Sequence, residues 1–223
     1  MNPFFLLRQV GRELGKKVSN LAGTTPRIDF AAWDVARLAD EWRTARPFSH
    51  VVIDGLVPSS TLSALREAAT AEPHKPNRGE IFDMMGSGKT VTHPVLRAFH
   101  QSLGSDEALA AVAAVTGKQA RSVVMRSFVY LNGSYLLPHT DHREEMGRQI
   151  AYAYYLSASG DGGELELFDC TTANDEIVET RSGVRIPAVS NRIVLFDVTP
   201  ASLHEVREVL GGKRLSLSGW FYS

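Results

Sequence analysis

The chain predicts an α+β fold, helices first and a mainly β core second. Three observations carry that expectation. Apolar residues recur at helical spacing in several segments before residue 117, short alternating runs fill the chain after it, and Gly, Asn, Asp and Pro punctuate those runs. No helical segment lies between consecutive strands, so antiparallel pairing in a sandwich or barrel is expected rather than a parallel sheet. The whole of 1–223 reads as one domain, with 1–117 as mainly helical support and 118–223 as the β core.

Phe4, Leu7, Val10, Leu14, Val18 and Leu21 form the first helical stripe, with Arg8, Arg12, Lys16 and Lys17 away from it. Such a face packs on a domain body more often than on a membrane surface or partner. Pro26 ends it, and residues 30–45 read as a second amphipathic helix. A β-rich run over 48–56 follows. Pro58-Ser59-Ser60 then opens a helix with Ser59 or Ser60 as its N-cap. Residues 73–95 carry Pro73, Pro76, Gly79, Gly86, Gly88 and Pro94 and read as an irregular loop, either a plain surface loop or a lid over an active site. The GSGKT at 86–90 is not read as a phosphate loop, because Asp83 stands where that motif needs glycine and no long strand is expected before it. Residues 94–117 are helical and stop at Gly117. Strands are expected at 121–131, 148–157, 163–169, 183–189, 191–197 and 213–222.

Composition narrows the classes. The chain has 223 residues, 43% apolar and 22% charged, with formal net charge −1. Nothing in that balance favours nucleic acid or an anionic membrane as partner. A lone cysteine, Cys170, excludes an internal disulfide framework and fits a reducing cytosol. The apolar run before Arg8 is too short for a secretory signal or a membrane span. These points lead to a soluble, cytoplasmic protein.

The candidate chemistry lies in four residues. His139 and Asp141 are two apart in an extended segment, so both side chains can reach one ion. His204 offers a third ligand, giving two histidines and a carboxylate on one face of a metal and leaving positions open for dioxygen and a bidentate co-substrate. A His-x-Asp/Glu pair alone is weak, and His142-Arg143-Glu144 competes with it. Context strengthens the reading. Ten residues after His204 comes Arg214, and Arg214-Leu215-Ser216 sets a guanidinium and a hydroxyl on one side of a strand, suited to a carboxylate. His50, His74, His93 and His100 read as surface or structural residues.

Taken in order, YLNGSYLLPHTD, YYLS, DGGELELF, NRIVLFD and HEVREVLGGKRLSLSGWF resemble the Fe(II)/2-oxoglutarate-dependent dioxygenases, in their prolyl 4-hydroxylase-like branch. The resemblance covers about residues 121–223, with a weaker echo at PFSHVVIDGLVPSSTLSALR. It implies a double-stranded β-helix, the jelly-roll or cupin-like core, and iron on His139, Asp141 and His204. It further implies that Arg214 holds the distal carboxylate of 2-oxoglutarate, with Ser216, Tyr155 and, less closely matched in spacing, Tyr130 beside it. A tyrosine on a β face is otherwise a core aromatic, and Trp220 and Phe221 are read as core. Collagen-type relatives often carry lysine at the Arg214 position, and related halogenases carry a small residue at the Asp141 position; this chain departs from both.

The implied reaction hydroxylates a C–H bond while 2-oxoglutarate and O2 become succinate and CO2, with ascorbate as a stimulant. A prolyl or other residue of a peptide or protein is the first substrate class, and a free amino acid or small natural-product intermediate the second. A non-catalytic metal and 2-oxoglutarate sensor, or a cupin-like metal enzyme, is the alternative from another class. Oligomeric state is left open.

Overall fold

The computed structural model describes residues 26–174 and 176–223. The amphipathic stripe at 4–21 lies outside them. A short 3-10 turn at Phe30–Ala32 precedes helix α1 (Val35–Thr44), strand β1 (His50–Asp54) and helix α2 (Ser59–Ala71). Helix α2 has Pro58 at its N-cap with no side-chain cap, so the serines expected there are instead its first turn. The Pro58 carbonyl accepts from Leu62 N at 3.0 Å.

The segment expected to be a loop contains a hairpin, β2 (Lys75–Gly79) and β3 (Phe82–Gly86). Strand β3 then enters the main sheet through both flanks, pairing with β5 (Arg126–Leu131) and β6 (Tyr135–His139). A strand therefore does run into GSGKT, but helix α3 (Pro94–Leu103) starts only at Pro94, so no helix N-terminus faces the glycines. Ser87 is used differently. Its N–H donates to Ser127 O at 2.8 Å, and its hydroxyl accepts from Ser127 N at 3.0 Å. Helix α4 (Asp106–Thr116) has the Ser105 hydroxyl as N-cap and ends at Gly117, whose φ of 72° is the left-handed conformation that glycine tolerates at a helix stop.

The remaining strands are β4 (Ser122–Val123), β7 (Arg148–Ser159), β8 (Leu165–Ala173), β9 (Glu176–Ile186), β10 (Arg192–Asp197), β11 (His204–Val206) and β12 (Lys213–Tyr222). The order β1-β10-β7-β12-β5-β3-β6-β11-β8-β9 gives one curled sheet; β2 hangs on β3 and β4 on β12. All its pairings are antiparallel, as the patterning predicts. It forms the jelly-roll half-barrel, with the helices against the outside of its first strands.

Strand β7 shows how the two sides are built. Ile150, Tyr152, Tyr154 and Leu156 belong to the core shared with the helices, together with Leu38, Leu65 and Phe99. Ala151, Ala153 and Tyr155 belong to the core inside the curl, with Val194 and Phe196. Burial on both faces explains why this strand reads as a nearly unbroken apolar run. The small inward residues leave space, and there the curl holds a cavity of about 340 Å³.

Candidate metal and co-substrate site

The ends of two short strands bring the three candidate ligands together. His139 closes β6 and His204 opens β11, and the two are direct cross-strand partners. Asp141 follows two residues after His139. One ligand atom from each lies within 4.8 Å of the others. Asp141 Oδ1 is 3.8 Å from His139 Nε2, and its Oδ2 is 3.5 Å from His204 Nε2. Each imidazole turns its Nδ1 to the carbonyl two residues earlier, His139 to Leu137 O at 2.9 Å and His204 to Ser202 O at 3.0 Å. A ring anchored through Nδ1 presents Nε2 as the ligand, the arrangement in which metal-bound histidines are usually held. His204 also sits edge-on to Phe196, with centroids 4.7 Å apart. Burial pushes its imidazole down to about 4, with the Asp141 carboxylate opposing that effect. The ring is thus neutral at pH 7 and has no proton to lose before binding a cation. His142 and Glu144, the competing pair, stand apart from the cluster: His142 is half-buried and Glu144 is exposed in a 3-10 turn.

Arg214 stands at the far end of β12. It is 3% exposed, and one guanidinium N–H donates to Gly163 O at 2.9 Å. Tyr130 and Tyr155 flank it, with the guanidinium carbon 4.8 and 4.7 Å from their ring centres. The pairing of β12 produces this nest, because Arg214 lies opposite Tyr130 on β5 and Ser216 opposite Tyr155 on β7. Burial pushes the Tyr130 phenol up to about 12, against the pull of Arg214, and raises Tyr155 as well, so both remain protonated donors.

Apart from the bond to Gly163 O, key polar atoms of this nest lack partners. Arg214 Nε, Tyr155 Oη and Ser216 Oγ are buried with no hydrogen bond, and no carboxylate among the described residues lies within ion-pair distance of Arg214. A buried cation with idle donors around it is costly unless an anion arrives. The nest therefore fits a ligand carboxylate, and the two imidazoles with one carboxylate fit a divalent first-row metal.

Sequence reasoning passed over two further arginines. Arg148, at the start of β7, lies over the Trp220 ring at 3.7 Å and reaches within 3.6 Å of Asp141 Oδ1. Trp220 accordingly lines the pocket while packing, half-buried, against the core inside the curl, and Phe221 is fully buried in the core shared with the helices. Arg126, at the start of β5, also lines the cavity. The other histidines are structural: His50 and His100 bond backbone carbonyls, His74 bonds Ser127 Oγ, and His93 caps α3.

A jelly-roll curl holding two histidines, a carboxylate and a buried arginine nest defines a non-haem iron oxygenase class of site. Residues 125–222, which hold His139, Asp141, His204 and Arg214, match the model of the 2OG-Fe(II) oxygenase superfamily. That superfamily uses Fe(II) and 2-oxoglutarate. Prolyl 3-hydroxylase OGFOD1 of Mus musculus is 45% identical over 94 residues, 39% of this chain and 16% of that protein. The Xenopus laevis protein of the same name is 30% identical over 194 residues, 79% of this chain and 35% of that protein. The chain thus spans about a third or less of the length of these curated relatives. A Pseudomonas putida prolyl-4-hydroxylase shares the fold, with a TM-score of 0.64 and 20% identity over 84% of this chain and 98% of that one.

Proposed function

We propose that the chain is an Fe(II)/2-oxoglutarate-dependent hydroxylase acting on a C–H bond of a peptide or protein, with a prolyl residue as the first target. The observation that carries this is Arg214, buried, without a charged partner and with its Nε unbonded, lining the same cavity as His139, Asp141 and His204. A metal triad alone suits many chemistries; a triad facing a carboxylate receptor suits a 2-oxo acid chelated at the metal. The names of the curated relatives support a prolyl target, and a free amino acid or small intermediate is the alternative substrate.

His139, Asp141 and His204 would hold the metal. Arg214, Tyr155 and Ser216 would take the distal carboxylate, with Tyr130 against the guanidinium, so that the co-substrate has one orientation. Bound iron and 2-oxoglutarate supply the oxidising power, with conversion of O2 and 2-oxoglutarate to succinate and CO2. The chain contributes the rest. The Leu137 and Ser202 carbonyls fix the imidazole tautomers, and Phe196, Leu165 and Val206 exclude water from the ligand side of the cavity. Ala151 and Ala153 leave room for the target carbon. Cys170, which has no disulfide partner, supports a reducing cytoplasmic setting.

Purified protein with Fe(II), 2-oxoglutarate, ascorbate and proline-containing peptides should release succinate in step with a product one oxygen heavier. His204→Ala should cost more than the ~10–100-fold that loss of a mere supporting partner costs. Succinate formation persisting in that variant would refute the site. Tight 2-oxoglutarate binding without any succinate would mark a sensor instead.

A further inference from the structure

The cavity has more positive charge than iron and 2-oxoglutarate can use. Three guanidiniums line it, those of Arg126, Arg148 and Arg214, against the single carboxylate of Asp141. A ferrous ion and a 2-oxoglutarate dianion cancel each other, so their arrival leaves that excess of two unchanged. Arg214 has a role in the proposal above, and Arg148 lies 3.6 Å from Asp141 Oδ1. Arg126 is left over.

Its setting is specific. The guanidinium stands over the Phe128 ring at 5.0 Å, and Nη2 donates to Ser87 O at 2.6 Å. That is its one hydrogen bond among the described residues; a guanidinium has five N–H donors, and here the buried Nε is idle. No carboxylate lies within ion-pair distance of it among the described residues. Gly86 gives the guanidinium room, since a Cβ there would lie 3.0 Å from Nη2. Arg126 is held but not satisfied.

Its position separates it from the co-substrate nest. Arg126 lies opposite Ser218 on β12, four residues along that strand from Arg214. At roughly 3.3 Å per residue the two positions are about 13 Å apart. Elsewhere the cavity lining is mostly apolar, with Ile81, Phe82, Met84, Phe128 and Leu136 among its residues. A substrate filling the cavity and reaching Arg126 would need an apolar body and one anionic group.

We infer that Arg126 is a specificity residue that takes a carboxylate of the substrate. This rests on the hydroxylase reading above, and it adds the substrate's charge. The carboxylate is either the free α-carboxylate of an amino acid or the side chain of an acidic residue next to the target in a peptide.

The test uses four probes: blocked proline-containing tripeptides with Glu or Gln beside the proline, and free proline with prolinamide. Affinity is measured calorimetrically on the full chain loaded with Mn(II) and 2-oxoglutarate, and succinate release is measured in parallel with Fe(II). One acid–amide pair should show about a tenfold preference for the acid, as expected of a charge-assisted contact. The pair that does so identifies the source of the carboxylate. Arg126→Gln should reduce that preference to about twofold or less while leaving 2-oxoglutarate affinity in place, and Arg126→Lys should keep part of it. Should Arg126→Gln fail to fold, Arg126→Lys and the wild-type comparison still decide. Equal binding within both pairs, or a preference undiminished in Arg126→Gln, overturns the inference while succinate release sustains the hydroxylase reading. Acid preference in binding without succinate from any probe would leave the Arg126 contact standing and remove the hydroxylase reading.

Discussion

Arg214 and Glu166 are both buried charges, and the contrast between them separates ligand sites from architecture. Glu166, 1% exposed, is met by Ser182 Oγ, by Arg185 Nε at 2.9 Å and by Arg207 Nη1 at 2.7 Å. Burial alone would raise its pKa, but these three hydrogen bonds outweigh it and hold the carboxyl below its ordinary 4.5. A folded-state value below the unfolded one means that this stabilisation is complete well above pH 4.5 and is lost as pH falls through the folded value. Glu166→Gln should therefore destabilise the protein at pH 7 by ~1–3 kcal/mol, the scale of weakened charge-assisted hydrogen bonds, because Arg185 and Arg207 are exposed enough to be solvated. It should also flatten the acid limb of a plot of stability against pH; an unchanged acid limb would contradict the assignment. Arg214 has no such partners. Arg214→Met should raise the melting temperature of the metal-free, ligand-free protein while raising the 2-oxoglutarate requirement at least ~10-fold with metal binding retained. Equal 2-oxoglutarate affinity in the two proteins would remove Arg214 from the co-substrate site. The grouping of His139, Asp141 and His204, with Arg214 in the same cavity, was legible from the His-x-Asp spacing, the His204-to-Arg214 interval and the ordered motifs around them. Arg126 and Arg148 were not. Spacing does not tell a pocket-facing arginine from a solvated one until strand face and register are known.

Elements were legible in proportion to their length and apolar content. Strand β12 has the boundaries its alternation predicts, and β7 and β10 are nearly as close. The misses have local causes. Strands β6 and β11 have five and three residues, too few for periodicity to register, although they carry both histidines. In the β2–β3 hairpin, Pro76 and Gly79 look like breakers, yet β2 pairs on one side only, so a missing N–H there is harmless. The same stretch is tied down by Glu72, 3% exposed, whose carboxylate accepts from Thr92 N, Thr92 Oγ1 and His93 N at 2.7, 3.1 and 2.8 Å. It anchors the end of the loop after the hairpin, just before α3, to the C-terminal end of α2. Glu72→Ala should cost ~1–3 kcal/mol by leaving those donors unmet. Amide exchange over residues 87–93 should rise before that of the rest of the chain, and uniform exchange would argue against a local anchor.

At the scale of the molecule, helices and sheet share one apolar cluster, in which Phe99 of α3 stacks on Tyr154 of β7 at 5.5 Å. Residues 26–223 should accordingly unfold in a single cooperative transition. Phe99→Ala should cost ~3–5 kcal/mol and lower the melting temperature by on the order of 10 °C. A second transition in a calorimetric scan would show that the helical layer unfolds independently. Strand β7 is the partition of this design, with Ile150, Tyr152, Tyr154 and Leu156 toward the helices and Ala151, Ala153 and Tyr155 toward the inside of the curl. The two alternating sets of one strand can therefore vary independently. Replacing Ala151 or Ala153 by valine narrows the room for substrate without disturbing the stacked aromatics behind it, so a lineage could explore new targets along this strand at little risk to its ability to fold.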